Sequence, residues 1–163
     1  MLVAPQAQVW MDFWVPRGDA LWDDDVVLSA RWLGEAWAGA LASLGVEGLQ
    51  VHEGRSAATQ WSGLVCFGGL GPGEVSVAGA KVVGLSQRRT REGARFLTVS
   101  ILAWDPSRLA RLLCLDRESE ARATSHLLAT ATGLCEVVAG WNLGADGPSM
   151  VETVESRVAQ SLP

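Results

Sequence analysis

Gly79-Ala80-Lys81-Val82-Val83-Gly84-Leu85-Ser86-Gln87-Arg88-Arg89-Thr90-Arg91 is the stretch around which the rest of the chain is arranged. Lys81 is the only lysine, against twelve arginines, among 163 residues. An arginine cannot replace a lysine where a compact, movable ammonium charge is required. Glycine on either side lets another group come close to the backbone. Two readings of Lys81 stand: a charge aimed at a bound anion or carbonyl, or a solvated lysine at a hairpin.

Upstream, Val65-Cys66-Phe67 leads into Gly68-Gly69-Leu70-Gly71-Pro72-Gly73, a loop with almost no side chains. Its backbone N–H groups offer a phosphate cradle, or it is a flexible connector. No Gly-Lys-Ser/Thr follows, so it is not a P-loop, and it is not a dinucleotide fingerprint. Cys66 ends a short apolar run fifteen positions before Lys81. A thiol beside an ammonium group carries more thiolate and is a candidate acyl acceptor; otherwise Cys66 is a small buried hydrophobe. Downstream, Arg88, Arg89, Arg91 and Arg95 form a basic patch: a seat for a phosphate or an acidic partner, or a solvated hairpin tip.

Further out, Val9, Met11, Phe13 and Val15 alternate as in a half-buried strand. Trp10 and Trp14 fall on its other face, which is therefore expected to be covered as well. Trp22-Asp23-Asp24-Asp25 leads into a long amphipathic helix over Val26 to Leu44, stopped by Gly45; the acids read as caps, since three in a row cannot all face one ion. Leu49 to His52, Glu74 to Val77, Lys81 to Gln87 and Ala94 to Leu102 read as strands, with turns at Ala78-Gly79 and Arg91-Glu92-Gly93. Helices are expected over Pro106 to Leu115, with Asp105 as cap, and over Glu118 to Thr132. A last helix, running to about Leu162, is expected to start at the capping box Ser149-Met150-Val151-Glu152. Strands in the middle with flanking helices indicate one α+β domain over residues 1–163.

Composition narrows the classes. Hydrophobic residues make up 48%, and no run approaches the roughly 18 apolar residues of a membrane span. No export signal is visible at Met1 to Gln6. Cys66, Cys114 and Cys135 are an odd set without C-x-x-C spacing, which fits a reduced cytoplasm; Cys114 and Cys135 are expected in the core. His52 and His126 are too isolated for a metal cluster and read as structural. A net charge of −5 argues against broad nucleic-acid binding. The expected partners therefore include neither nucleic acid nor membrane.

The stretch Gly79-x-Lys81-Val82-Val83-Gly84-Leu85-Ser86-Gln87 resembles the lysine motif of the lipoate–protein ligase, octanoyltransferase and biotin ligase superfamily. The likeness takes in Val65-Cys66-Phe67, Val15 to Asp19 and Leu21 to Val26, and covers roughly residues 1 to 115. It implies the class II synthetase/biotin-ligase fold, a mixed, largely antiparallel sheet flanked by helices. It implies acyl transfer to a lysine of an acceptor protein through an acyl-adenylate, with ATP and magnesium as substrates and lipoate or octanoate as the acyl group. Lys81 is then the catalytic group, in contact with the carbonyl and phosphate oxygens of the acyl-adenylate, with Gly79, Gly84, Ser86, Gln87, Gly69 and Gly71 around the substrate. Arg88, Arg89 and Arg91 are then partner contacts.

The implied acceptor is a lipoyl domain of a 2-oxoacid dehydrogenase or a glycine-cleavage H protein. Some octanoyltransferases in this superfamily carry a Cys-Phe fifteen residues before the lysine, which gives a second reading: Cys66 takes octanoyl from acyl-carrier protein without ATP. A third reading is a non-catalytic remnant or binding module. Relatives carry an Arg-Arg-x-Ser/Thr-Gly-Gly-Gly-Ala-Val segment that would fall just before Leu2-Val3. The chain is therefore expected to lack an N-terminal part of the catalytic domain, supplied by an earlier start, lost in a fragment, or carried by a partner chain. Where relatives show Gln-His-Gly-Ser, this chain has Leu97-Thr98-Val99-Ser100, so a histidine contact is absent.

Overall fold

The computed structural model describes residues 7–163; the expectations attached to Met1–Gln6 lie outside it. Five strands, β1 Gln8–Pro16, β2 Leu49–Val51, β3 Val75–Val77, β4 Ala80–Arg89 and β5 Gly93–Ile101, form one sheet in the order β1-β5-β4-β3-β2. Every pairing between these strands is antiparallel. The only parallel contact among the described residues is a single bridge from Lys81 to Ala131. With helices α1 Arg31–Ser43, α2 Pro106–Arg111, α3 Arg117–Thr130, α4 Leu134–Val137 and α5 Leu143–Gln160, the class is α+β as the sequence indicates.

Register decides which side chains share a face. Trp10 pairs with Val99 and Val99 with Gly84; Asp12 pairs with Leu97 and Leu97 with Ser86; Trp14 pairs with Arg95 and Arg95 with Arg88. Val9, Met11, Phe13 and Val15 point the other way, with Ala94 and Phe96. They pack on Leu33, Trp37 and Leu41 of α1 and on Met150, Val154 and Val158 of α5. Trp32 stands edge-on to both Phe13 and Phe96. Burying Phe96 from water contributes roughly 1.5–3 kcal/mol, and this closed face is the main core.

The opposite face is open. Trp10 is 37% exposed and Trp14 52%, so the expectation that both faces of β1 are covered is overturned. The reason lies beyond β1: the segment around Val65 and Phe67 and helix α3 shield only the stretch near Val99 and Ile101, and no described element reaches the tryptophans.

Four other boundaries move. Leu28–Ala30 is a 3-10 turn before α1, because the Asp25 carboxylate accepts the amides of Val27 and Leu28 and tightens the entry. Cys66–Gly68 is a 3-10 turn rather than the end of a strand. Helix α2 stops at Arg111, and Cys114 beyond it is exposed at φ 52. Cys114 thus closes a helix end instead of filling the core, while Cys135 is half-buried against the core. Helix α5 begins at Leu143, so Ser149 and Pro148 both lie inside it rather than at its start. The fully or nearly fully buried Met150, Val154 and Val158, four apart, hold the helix on the core regardless of the missing proline N–H.

Candidate functional site on the open sheet face

A β-bulge aims Lys81. Lys81 faces Ser76 and Val83 faces Val75, so β4 advances two residues while β3 advances one. The extra residue shifts the alternation and puts Lys81 in phase with Gly84 and Ser86 rather than with Leu85 and Gln87. Gly84 bears this out in space: a Cβ there would stand 3.4 Å from Lys81 Cε and 3.3 Å from the Phe67 ring. Glycine at 84 leaves room for the lysine stem to pass under the aromatic ring.

The ammonium is buried, with Lys81 only 3% exposed. Nζ makes an ion pair with Glu74 Oε2 at 2.6 Å and donates to the carbonyls of Cys66 at 2.9 Å and Gly69 at 3.1 Å. It lies 5.0 Å from the centre of the Phe67 ring. Three acceptors match the three donors of an ammonium group. Of the two readings of Lys81, the solvated hairpin lysine is therefore excluded.

Glu74 was not singled out by sequence reasoning, and it organises the site. Its Oε2 also accepts the Gly71 amide at 2.6 Å, and its Oε1 accepts the Leu85 amide at 2.9 Å. The carboxylate sits one residue before β3 and takes the place of a further rung between that strand and β4. A lone acid between a glycine loop and an apolar strand was the available signal.

Two cavities meet Lys81. One, of about 260 Å³, lies on the open face between Trp10, Cys66, Phe67, Gly84, Ser86 and Val99. The other, of about 160 Å³, lies between Phe67, Gly69, Gly79 and Thr130. An apolar groove of about 130 Å³, lined by Leu64, Phe67, Val99, Ile101, Trp104 and Leu109, adjoins the first and shares Cys66 with it. Cys66 is exposed, which removes its reading as a buried hydrophobe.

The structure thus brings Lys81, Cys66, Gly84 and Ser86 to one cavity and Gly69 and Gly79 to the next. It does not bring Gln87 there. The bulge turns Gln87 to the other side, where its side chain hydrogen-bonds with Ser29 Oγ and lines a separate cleft with Val27, Arg55 and Gly71. Gly69 serves through its carbonyl and Gly71 through its amide, each toward the Lys81–Glu74 pair. The amides of Gly68, Leu70, Gly71 and Gly73 all donate within the chain, so the loop is a braced turn and not a phosphate cradle. Thr59 and Ser62 hydroxyls on the Gly68 carbonyl brace it further.

The arginine patch divides. Arg88 and Arg91 are exposed. Arg89 donates to the carbonyls of Asp23 and Asp24 and lies over the Trp22 ring at 4.5 Å, so it fastens the turn before α1. Arg95 pairs with Asp12 on the open face and holds that carboxyl below its usual range, chiefly by hydrogen bonding. His52 Nε2 shares a hydrogen bond with the Arg55 carbonyl, and His126 Nε2 is buried with no partner among the described residues. Among those residues, no three His, Cys, Asp or Glu side chains gather to hold a metal ion, and no helix is long and apolar enough to cross a membrane.

The fold is that of lipoate–protein ligases and biotin protein ligases. A bipartite lipoate protein ligase from Thermoplasma acidophilum, described with its E2 lipoyl domain, superposes with TM-score 0.67 at 12% identity over 95% of this chain and 49% of that one. Lipoate-protein ligase A bound with ATP gives 0.54 at 10% identity, over 93% and 48%. Biotin protein ligase from Aquifex aeolicus gives 0.52 at 12% identity, over 95% and 52%. The chain therefore spans about half the length of the solved structures it matches. No family model and no curated protein matches it.

Proposed function

We propose that the chain carries the acyl-carbonyl end of a lipoate–protein ligase-like site and takes part in transferring a lipoyl or octanoyl group to a lysine of an acceptor protein. The observation that supports this most is the buried Lys81 ammonium at the inner end of an apolar cavity that opens on the uncovered sheet face. The acyl chain lies along Phe67, Val99, Ile101 and Trp104, with its carbonyl oxygen toward Lys81. The acceptor's ε-amine attacks the carbonyl carbon; the C–N bond forms as the bond to the leaving group breaks, and the amine proton passes to water. A donor aimed at the developing oxyanion is worth about 10²–10³ in rate. In the ligase form the leaving group is AMP, and the acyl-adenylate derives from ATP with magnesium. The acceptor is of the lipoyl-domain kind, a 2-oxoacid dehydrogenase component or a glycine-cleavage H protein.

A second reading is favoured by one observation: Cys66 is exposed where the cavity and the groove join. There Sγ attacks an octanoyl thioester of acyl-carrier protein, a C–S bond forms, the carrier thiol leaves, and the acceptor amine then displaces Sγ.

Labelled octanoate with ATP, and octanoyl carrier thioester without it, are offered together with an isolated lipoyl domain. Transfer from octanoate and ATP that survives Cys66→Ser supports the ligase form; transfer from the thioester that Cys66→Ser abolishes supports the second. Transfer from neither donor overturns both and leaves a binding module.

A further inference from the structure

The cleft that Gln87 lines has a volume of about 390 Å³ and meets the open-face cavity only at Leu85. Its walls are tied in place. Asp25 accepts the amides of Val27 and Leu28, and hydrogen bonds join the Gln87 amide, the Ser29 hydroxyl and the Val26 carbonyl. On the loop side, His52 Nε2 shares a hydrogen bond with the Arg55 carbonyl, and Ala57 and Leu70 exchange two backbone hydrogen bonds. Two groups are left over. The Arg55 guanidinium and the Ser56 hydroxyl line the cleft, and among the described residues neither has a hydrogen bond or an ion pair. Glu53, the acid nearest to Arg55 in sequence, lies 3.4 Å from Arg31 instead. Val26, Val27, Pro72 and Leu85 supply an apolar wall, and Val26 is 55% exposed although its turn is fixed.

A guanidinium fork and a hydroxyl beside an apolar wall suit a carboxylate carried on a small apolar body. A doubly charged phosphate is disfavoured by Asp25 and Glu53, which adjoin the lining segments in sequence. We propose that this cleft is an effector site for a small apolar monocarboxylate. Gly71 and Leu85 both line it, and both give their backbone amides to Glu74, which pairs with Lys81. A ligand seated against Gly71 and Leu85 therefore acts on the carboxylate that holds the ammonium, from a cleft that neither Glu74 nor Lys81 lines. Glu74 is the element that both sites share, which is what coupling between them requires. The inference does not rest on acyl transfer, since it holds for any ligand of the Lys81 cavity.

Phenylacetate and phenylacetamide, alike in shape and different in charge, are titrated into the full chain labelled with ¹⁵N. Binding is read from the backbone amide signals of Ser56, Gly71 and Leu85 and from the ammonium signal of the single lysine. Wild type is expected to bind phenylacetate at least about tenfold more tightly than phenylacetamide, with all four signals moving along one curve. The variants sit at exposed positions, so the fold is kept. Arg55→Gln removes the margin between the probes, and Val26→Trp fills the cleft and removes binding. Ser86→Trp fills the open-face cavity instead and leaves phenylacetate binding unchanged. Still signals at Ser56 and Gly71 with both probes, equal binding of the two, a margin that survives Arg55→Gln, or binding lost in Ser86→Trp each overturns the site. Saturation at Ser56 and Gly71 with the Lys81 signal unmoved overturns the effector role. None of these readouts uses transfer to a lipoyl domain, so a failure of the acyl-site reading is scored separately.

Discussion

Phe96 and Trp14 are large aromatic residues on adjacent strands of one sheet, yet the first is 1% exposed and the second 52%. Phe96 faces α1 and α5; Trp14 faces the other side, which α3 covers only near Val99 and Ile101. Both strands spend their β-branched and aromatic residues on each face, so composition does not separate the two sides. What separates them is where the helices have their apolar stripes. The side covered by α1 and α5 supplies cohesion. The other side keeps Lys81, Cys66 and an apolar groove within reach of a ligand, and the cost is aromatic surface left in water.

Substitutions test this contrast. On the closed face, Phe96→Ala removes a buried ring and is expected to lower unfolding free energy by about 3–5 kcal/mol in a denaturant titration. A loss below about 1 kcal/mol would mean that the closed face is not the core. At the boundary between the faces, Lys81→Met leaves Glu74 buried without its counter-charge and costs about 3–5 kcal/mol, whereas Lys81→Met with Glu74→Gln recovers most of that loss. Equal stabilities for the single and double variants would show that the pair is not energetically coupled. On the open face, Trp14→Ala is expected to change stability by no more than about 0.5 kcal/mol; a larger loss would show that this side is packed after all.

The smallest effect concerns acid. Asp12, on the open face, has its pKa held below the usual value of 3.8, mainly by hydrogen bonding to Arg95. As the pH falls, the unfolded chain takes up that proton first, so this contribution is full above pH 3.8 and fades as the pH drops through the folded-state value. Asp105, which accepts chiefly from the Ser107 hydroxyl, and Asp116, which accepts chiefly from the Ser119 amide, at the starts of α2 and α3, are lowered in the same sense. Asp12→Asn should therefore flatten the acid limb of a stability–pH curve without abolishing it. An unchanged limb would remove Asp12 from the account.

How much of this was legible in the sequence follows from how local each signal is. The alternation in β1, the turn at Ala78-Gly79 and the Asp105-Pro106 helix start are set by neighbouring residues, and all appear in the structure. The bulged residues Lys81 to Val83 include no glycine or proline to announce them, so Gln87 reads as a companion of Lys81 although the extra residue turns it away. Glu74 escapes notice because its partners come from the glycine loop and both sides of that bulge. Arg89 belongs on sequence to a basic patch, and only the approach of the Asp23-Asp24 turn ties it down. The start of α5 is missed because Ser149 has the pattern of a cap, while the residues that hold the helix are spaced through its length.

The most direct test separates the chemistry from the fold. The Lys81→Met/Glu74→Gln variant, first shown to be folded, is assayed for acyl transfer to a lipoyl domain beside wild type, with the donor that wild type uses. If Lys81 steadies the acyl carbonyl, the rate falls about a hundredfold or more while stability stays near that of wild type. Transfer at the wild-type rate by this variant would contradict the assignment of the site.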